Sequence, residues 1–364
     1  MRFCHGVYRT SARRDPCPLP SITAQADHGV ALEYQIQHAN LSDANPWFTI
    51  PHLADDDYIR NAAELIRDTL EPGRVARIEY SNEVWNNLFA QAGHAREQGT
   101  AAFDSGNVFR DQLYWYSQRS VEMFDIFEDV FTEGGTRPEG MDRLVRVMSA
   151  QAANPWTGAR VLKFEDAYAN IDALAIAPYF GRLVRAGDEA EAWKNADWEG
   201  RLAMTEERLT VAKNNMTRYA DLLNTIDDNG DTPYADIELF AYEGGQHFLG
   251  HPNTHNDPEL TELFFELNRR PEMEAFYLNY LRHWAEIGGS DFMLFSSLSG
   301  FSRSGSWGLM EYEGQPLADT PKLRAALRFI EETRVIPEPG AATLATALGG
   351  TLLLRRRTRA RMNA

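Results

Sequence analysis

The sequence is poor in cysteine. Its 364 residues include two, Cys4 and Cys17, both close to the start of the chain. Such a pair provides no disulfide framework, so the small disulfide-stabilised secreted folds are excluded. A cysteine-poor composition fits an exported bacterial protein as well as a cytosolic one. The compartment therefore has to be inferred from other features of the sequence.

Basic residues are few relative to acidic ones. There are 36 Lys and Arg against 53 Asp and Glu, which gives a formal net charge of −17. So acidic a surface repels phosphate backbones, and nucleic acid is not expected as a partner. The sequence also has no Gly-rich phosphate loop and no Gly-x-Ser-x-Gly elbow, which argues against kinases and serine hydrolases. A neutral ligand such as a glycan is compatible with this charge.

Two patterns of potential metal ligands are interrupted. Histidines recur every four residues over 247–255, but Pro252 lies among them and prevents a continuous helix. The segment 227–231 (DDNGD) begins like a calcium loop, yet Thr232 occupies the position that requires glycine. We therefore expect no metal site and no cofactor.

The chain divides into three segments of different character. Residues 1–28 show neither helical nor strand periodicity, and they lack the apolar stretch of a secretory signal peptide. Residues 29–334 alternate between apolar strand patterns and amphipathic helix patterns. Residues 335–364 form a tail of different composition. We expect one folded domain at 29–334, with an irregular N-terminal segment and a C-terminal tail outside it.

The alternation of strands and helices in the middle segment predicts an α/β fold with a parallel sheet. Helix patterns cover 29–44, 55–70, 84–130 with a break near 99–106, 200–226, 258–287 and 322–334. Strand patterns cover 47–51, 75–80, 144–149, 172–178, 236–242 and 291–295. A closed barrel of this class needs eight strands, so the six found here predict an incomplete one.

Two glutamates follow predicted strands directly. Glu83 comes after RIEYSN, and Glu243 comes after DIELFAY. The carboxyl ends of barrel strands form the edge at which barrel enzymes place their chemistry. Hydrolysis of a glycosidic bond needs one carboxyl group to protonate the leaving oxygen and another to attack or to activate water. Acidic residues at strand ends are also common helix caps and salt-bridge partners, and spacing alone leaves both interpretations open.

The segment YSNEVWN, which contains Asn82 and Glu83, resembles the Asn-Glu signature on strand four of the clan A glycoside hydrolases. This resemblance, over about residues 29–334, implies a (β/α)8 TIM barrel of which strands three to eight are present. It implies that Glu83 is the acid/base, that Asn82 binds a sugar hydroxyl, and that Glu243 in AYEGGQH is the nucleophile on strand seven. It also implies cleavage with retention of configuration through a covalent glycosyl-enzyme.

Five further residues are candidates for substrate binding at the same edge. His52 and Gln151 follow strands three and five, and Trp85 lies within YSNEVWN, two residues after Glu83. Tyr179 ends strand six, where such enzymes place a hydroxyl that orients the nucleophile; packing on the core is the alternative. Relatives carry a Trp directly after strand eight, but here the first available Trp is Trp307, several residues downstream.

The tail has three parts in order: Pro337-Glu338-Pro339, an apolar run at 341–354, and three arginines at 355–357. Fourteen apolar residues are fewer than the about 20 that span a membrane. The layout resembles the PEP-CTERM sorting signal of certain Gram-negative bacteria. That resemblance implies export, recognition by an exosortase, transient membrane contact through the tail, and a final location at the cell surface or in the extracellular matrix.

An exported barrel would carry a signal peptide and two more strands. Loss of the original N-terminus explains both gaps, so we expect residues 1–28 to be non-native and the chain to be truncated. The expected function is a retaining glycoside hydrolase acting on a polysaccharide or oligosaccharide. The truncation can leave this form of the enzyme inactive. The alternatives are a non-catalytic carbohydrate-binding or matrix protein on a degenerate barrel, and an enzyme of another class on the same barrel.

Overall fold

The computed structural model of the chain describes residues 2–3, 29–133, 140–227 and 230–333. The predicted sorting tail at 335–364 lies outside the described residues. The strands, numbered along the chain, are β1 (Arg2–Phe3), β2 (Trp47–Ile50), β3 (Ala76–Tyr80), β4 (Leu144–Ser149), β5 (Ala173–Ile176), β6 (Leu183–Val184), β7 (Glu238–Gly244), β8 (Leu249–Gly250) and β9 (Gly289–Leu294).

The strands build a parallel sheet. β6 and β8 pair with each other, and the other strands lie side by side in chain order with every neighbouring pair parallel. All six strands predicted from the sequence are present, and their ends differ from prediction by at most two residues. Continuous apolar runs such as ALAI in β5 are typical of parallel strands covered on both faces, and all four residues of β5 are buried.

The helices, numbered along the chain, are α1 (Leu32–Leu41), α2 (Asp56–Thr69), α3 (Ala90–Ala102), α4 (Val108–Thr132), α5 (Pro155–Lys163), α6 (Asp188–Asn195), α7 (Trp198–Leu223), α8 (Pro258–Arg269), α9 (Glu272–Glu286) and α10 (Pro321–Thr333). The predicted helix at 258–287 is two helices, α8 and α9, because Pro271 between them has no N–H to continue the first. The short helices α5 and α6 were not predicted. In the described parts of the chain, no helix has the length and apolar character needed to cross a bilayer.

The structure describes two residues of the segment 1–28, and they form a short strand. The backbone of Arg2–Phe3 forms β1, which pairs in parallel with Trp47 and Phe48 of β2. The physical reason is that β2 would otherwise expose unpaired backbone groups along its free side, and a two-residue strand satisfies some of them. A strand this short is below the length at which apolar periodicity is visible in a sequence.

The sheet is curled into a half-barrel. Arg77 on β3 forms an ion pair with Asp291 on β9, although β4, β5 and β7 lie between these strands. The rings of Trp47 on β2 and Phe240 on β7 are 5.9 Å apart across the same space. A flat sheet would hold these side chains far from each other. The structure is therefore a mixed α/β fold consistent with an incomplete α/β barrel.

Alternate residues of the strands face two different apolar clusters. The inner face of the curl is lined by a small buried cluster, Trp47, Val147, Ala173, Ala175, Phe240 and Tyr242. The residues between them, such as Leu174 and Ile176 of β5, belong to the larger cluster shared with the helices. Glu79 on β3 is fully buried and accepts a hydrogen bond of 2.9 Å from the indole N–H of Trp47. Glu79 is thus a structural contact of the inner face.

We predict that the packing of α3 on α4 depends on Gly99. A Cβ at this position would overlap the backbone carbonyl of Asp111 on α4, so Gly99→Ala should destabilise the fold by about 1–3 kcal/mol. A Cβ at Gly93 on the same helix meets nothing within 4 Å, so Gly93→Ala should stabilise it by up to about 1 kcal/mol. Urea unfolding of both variants measures this difference, and equal stabilities would contradict it.

Candidate active site

The two candidate carboxylates lie at the same edge of the sheet. Glu83 lies three residues beyond the last residue of β3. Glu243 was expected just past its strand, but it lies within β7, which continues to Gly244. The extension has a backbone cause, because the carbonyl of Gly244 accepts a hydrogen bond of 2.9 Å from the N–H of Phe295 after β9. Both glutamates remain at the carboxyl ends of parallel strands.

A tyrosine holds each of these carboxylates. Tyr242 donates a hydrogen bond of 2.9 Å from its hydroxyl to Oε1 of Glu83. Tyr179 donates one of 3.0 Å to Oε2 of Glu243. The side-chain amide of Asn86 donates to Oε2 of Glu83 at 2.8 Å. Because Tyr242 directly precedes Glu243, β7 carries both the carboxylate of Glu243 and the phenol that donates to Glu83.

The electrostatics of Tyr179 connect the two carboxylates. Burial is the largest cause that raises the pKa of Tyr179 above its ordinary value. The neighbouring charge of Glu243 and its hydrogen bond come next, and Glu83 adds to the same effect. The phenol therefore stays protonated and acts as a donor. Because the charges of Glu83 and Glu243 both raise the pKa of Tyr179, both carboxylates lie near its hydroxyl.

The turn that carries Glu83 has an unusual backbone. Ser81 and Glu83 have positive φ angles of 58° and 46°. This left-handed conformation costs a side-chain-bearing residue roughly 1–2 kcal/mol. Such conformations persist when surrounding contacts determine them, and they cluster at functional sites. The N–H of Ser81 still donates to the carbonyl of Ile50 on β2 at 2.7 Å, so the turn leaves the sheet abruptly after that bond.

Asn82 and Trp85 flank Glu83, and each keeps a polar atom without a protein partner. Asn82 is buried, and within the described residues its Oδ1 has no hydrogen-bond donor. Trp85 packs against the inner apolar cluster, and its indole N–H has no acceptor among the same residues. A buried polar group without a partner costs about 1–3 kcal/mol. Sugar hydroxyls, which both donate and accept, are able to satisfy an amide oxygen and an indole N–H.

His52 and Gln151 lie at the same edge, after β2 and β4. The ring of His52 is 5.4 Å from that of His94, and burial together with His94 lowers the pKa of His52 to about 4. At neutral pH it is an uncharged imidazole. The N–H of Gln151 donates to the hydroxyl of Thr157 at 3.0 Å. Its carbonyl accepts from the hydroxyl of Tyr219 at 2.8 Å and from the N–H of Asn154 at 2.9 Å, so its backbone is fixed.

Trp307 reaches the site through His247, which the sequence suggested only as part of an unconvincing metal pattern. The indole N–H of Trp307 donates to Nδ1 of His247 at 3.3 Å, and the ring of His247 lies 5.4 Å from that of Tyr179. An indole only donates, so Nδ1 accepts and the proton of the neutral imidazole lies on Nε2. Burial lowers the pKa of His247, and the charge of Glu243 opposes this.

The loop that carries Trp307 is anchored beside it. The carbonyl of Ser306 accepts hydrogen bonds from the side-chain amide of Gln246 at 2.7 Å and from Nζ of Lys322 at 2.5 Å. Lys322 is 1% exposed; its Nζ also donates to Asn268 at 3.1 Å and lies 4.8 Å from the Phe301 ring centroid. These contacts join the loop to the segment after β7 and to helices α8 and α10, and they fix the backbone next to the indole.

The assembled site consists of two carboxylates with phenolic donors, an unpaired amide oxygen, and a row of aromatic rings. Such a set can transfer a proton, offer a nucleophilic oxygen and stack against an apolar ring face. Within the described ranges, no group of three or more His, Cys, Asp and Glu side chains is arranged to hold a metal ion.

Comparison of the sequence with models of known protein families and with curated proteins gave no match.

We predict that Lys322 makes stability depend on pH. Burial lowers the pKa of Lys322 from 10.5 to about 7, against the opposing charge of Glu311. Between pH 7 and pH 10.5 the unfolded chain binds a proton at Lys322 that the folded chain does not. The free energy of unfolding therefore increases as the pH is raised from 7 to 10.5. Lys322→Met should remove at most about 5 kcal/mol of this rise. Urea unfolding of both proteins between pH 7 and pH 10 tests it, and parallel curves would reject it.

We also predict that Glu243 influences the titration of His247. The charge of Glu243 raises the pKa of His247 against the effect of burial, so Glu243→Gln should lower that pKa further. Nuclear magnetic resonance titration of the imidazole measures the change. Glu238→Gln is the matched control, because Glu238 is exposed at the other end of β7. An unchanged pKa in Glu243→Gln would show that the two side chains are not neighbours.

Proposed function

We propose that this protein is a retaining glycoside hydrolase whose six longer strands correspond to strands three to eight of a (β/α)8 barrel. The observation that carries the proposal is the pair of tyrosine bonds, Tyr242 to Glu83 and Tyr179 to Glu243, which brings two carboxylates to one edge of the curled sheet. The resemblance of YSNEVWN to the clan A signature supports the same assignment. A glycosidase of this kind needs such a pair at the carboxyl ends of the strands.

In the proposed mechanism, Glu243 attacks the anomeric carbon while Glu83 donates its proton to the leaving glycosidic oxygen. The bond to the leaving group breaks, and an ester between the sugar and Glu243 forms. Glu83, now ionised, takes a proton from water, and the water oxygen attacks the anomeric carbon. The ester bond breaks, Glu243 is released as a carboxylate, and Glu83 is protonated again. Configuration at the anomeric carbon is retained after two displacements.

The surrounding residues have proposed roles in binding the sugar. Asn82 accepts a hydrogen bond from a hydroxyl next to the reacting carbon, which supplies the donor that its Oδ1 lacks. Tyr179 orients the nucleophile through the bond already present. Trp307 provides a stacking surface that His247 holds in place. Trp85, His52 and Gln151 complete the proposed cleft as contacts to further sugar hydroxyls.

The location of the protein is also a proposal. The order of Pro337-Glu338-Pro339, the apolar run and the arginine cluster supports a sorting signal of the PEP-CTERM type. An exosortase-type enzyme of a Gram-negative bacterium would then be a partner, and the tail would make transient contact with the membrane. The substrate would be a surface or environmental polysaccharide or oligosaccharide.

We predict that hydrolysis of aryl β-glycosides and polysaccharides depends on both glutamates. Glu83→Gln should lower kcat by about 10²–10⁴-fold, because the leaving group loses its proton donor. Glu243→Gln should prevent formation of the covalent intermediate. A 2-deoxy-2-fluoro aryl glycoside, which accumulates that intermediate, should label Glu243 in peptides analysed by mass spectrometry. Glu238→Gln on the same strand is the control and should keep the activity of the original protein.

Two other results would count against the proposal. Binding of glycans without hydrolysis by a well-folded protein would favour a carbohydrate-binding surface or matrix protein on the same barrel. Hydrolysis that survives both substitutions would place the chemistry elsewhere in the fold.

A further inference from the structure

The turn from Ser81 to Glu83 needs external support, because two of its residues hold left-handed backbone angles. That support comes from side chains of α3 and α4. Gln91 on α3 donates a hydrogen bond of 2.6 Å from its amide to the carbonyl of Asn82. Gln112 on α4 donates one of 2.7 Å to the carbonyl of Val84. The carbonyls on either side of Glu83 are thus each held by a glutamine.

Gln112 is the better placed of the two glutamines. It is fully buried, and its Oε1 accepts a hydrogen bond of 3.3 Å from Nε of Arg96. Because a backbone carbonyl only accepts and a guanidinium only donates, the amide has one orientation that satisfies both neighbours. The guanidinium of Arg96 also contacts Oδ1 of Asn87, four residues after Glu83. Gln112 therefore links helix α4 to the segment that directly follows Glu83.

We propose that Gln112 is a positioning residue for the reaction. Its amide keeps the Glu83 turn in the left-handed conformation, and this conformation directs the carboxylate of Glu83 to Tyr242. Gln112 does not touch the substrate and acts through Val84. The catalytic part of this assignment rests on the proposed function. The positioning part rests only on the geometry of the turn.

The test uses Gln112→Met, which keeps the volume of the side chain and removes the donor. We expect kcat to fall about 10–100-fold with KM almost unchanged, since the acid/base is displaced while the sugar contacts remain. Adding Ser81→Gly should restore part of kcat, because glycine adopts positive φ without a steric cost. Gln118→Met is the matched control: Gln118 lies on the same helix and donates within it to Glu122 at 2.9 Å. It should leave kcat unchanged.

Amide hydrogen exchange of peptides covering 81–89 provides a readout that does not require hydrolysis. Gln112→Met should speed exchange in these peptides, Gln118→Met should not, and Ser81→Gly combined with Gln112→Met should slow it again. If the original protein hydrolyses no glycoside but this pattern appears, the proposed function fails while the positioning of the turn stands. If Gln112→Met does not fold, Gln91→Met tests the same support. Unchanged exchange and unchanged kcat in the folded variants would overturn the inference.

Discussion

The hydrogen bond from Tyr242 to Glu83 joins the interior of the fold to its edge. Tyr242 is fully buried in the apolar cluster on the inner face of the curled sheet, and only its hydroxyl reaches Glu83. The contact exists because the curl brings β3 and β7 close enough for side chains to meet across the inner face. If the sheet opened, the hydrogen bond from Tyr242 to Glu83 would break. The geometry of the site therefore depends on the packing of the inner cluster.

The turn at Glu83 shows how local cost and global packing are balanced. A left-handed backbone at Ser81 and Glu83 is unfavourable locally. The compensation comes from α3 and α4, whose close approach at Gly99 brings Gln91 and Gln112 to the turn. The two helices therefore also donate hydrogen bonds to the backbone on either side of Glu83.

The sequence predicted those features that depend on local pattern. Strands such as β5 are continuous apolar runs, and the six longer strands were found within two residues of their ends. Glu83 and Glu243 were identified because each follows a predicted strand and because YSNEVWN resembles the Asn-Glu signature of the clan A glycoside hydrolases. Tyr242 was missed as a site residue because its neighbours Phe240 and Ala241 make it look like one more apolar core position. His247 was missed because its contacts, Tyr179 and Trp307, lie 60 or more residues away along the chain. Contacts between residues so far apart in sequence cannot be found from local residue spacing.

The chemistry of the donors is consistent with the proposed sequence of steps. Tyr179, Tyr242 and Asn86 are uncharged donors to the two carboxylates. A negative charge near a carboxyl group disfavours ionisation of that group. In the proposed mechanism the charge of Glu243 disappears when the ester forms, which makes ionisation of Glu83 easier at the moment when a base is needed. An arginine or lysine in place of either phenol would weaken this exchange, because a fixed positive charge would favour the ionised carboxylate throughout the cycle.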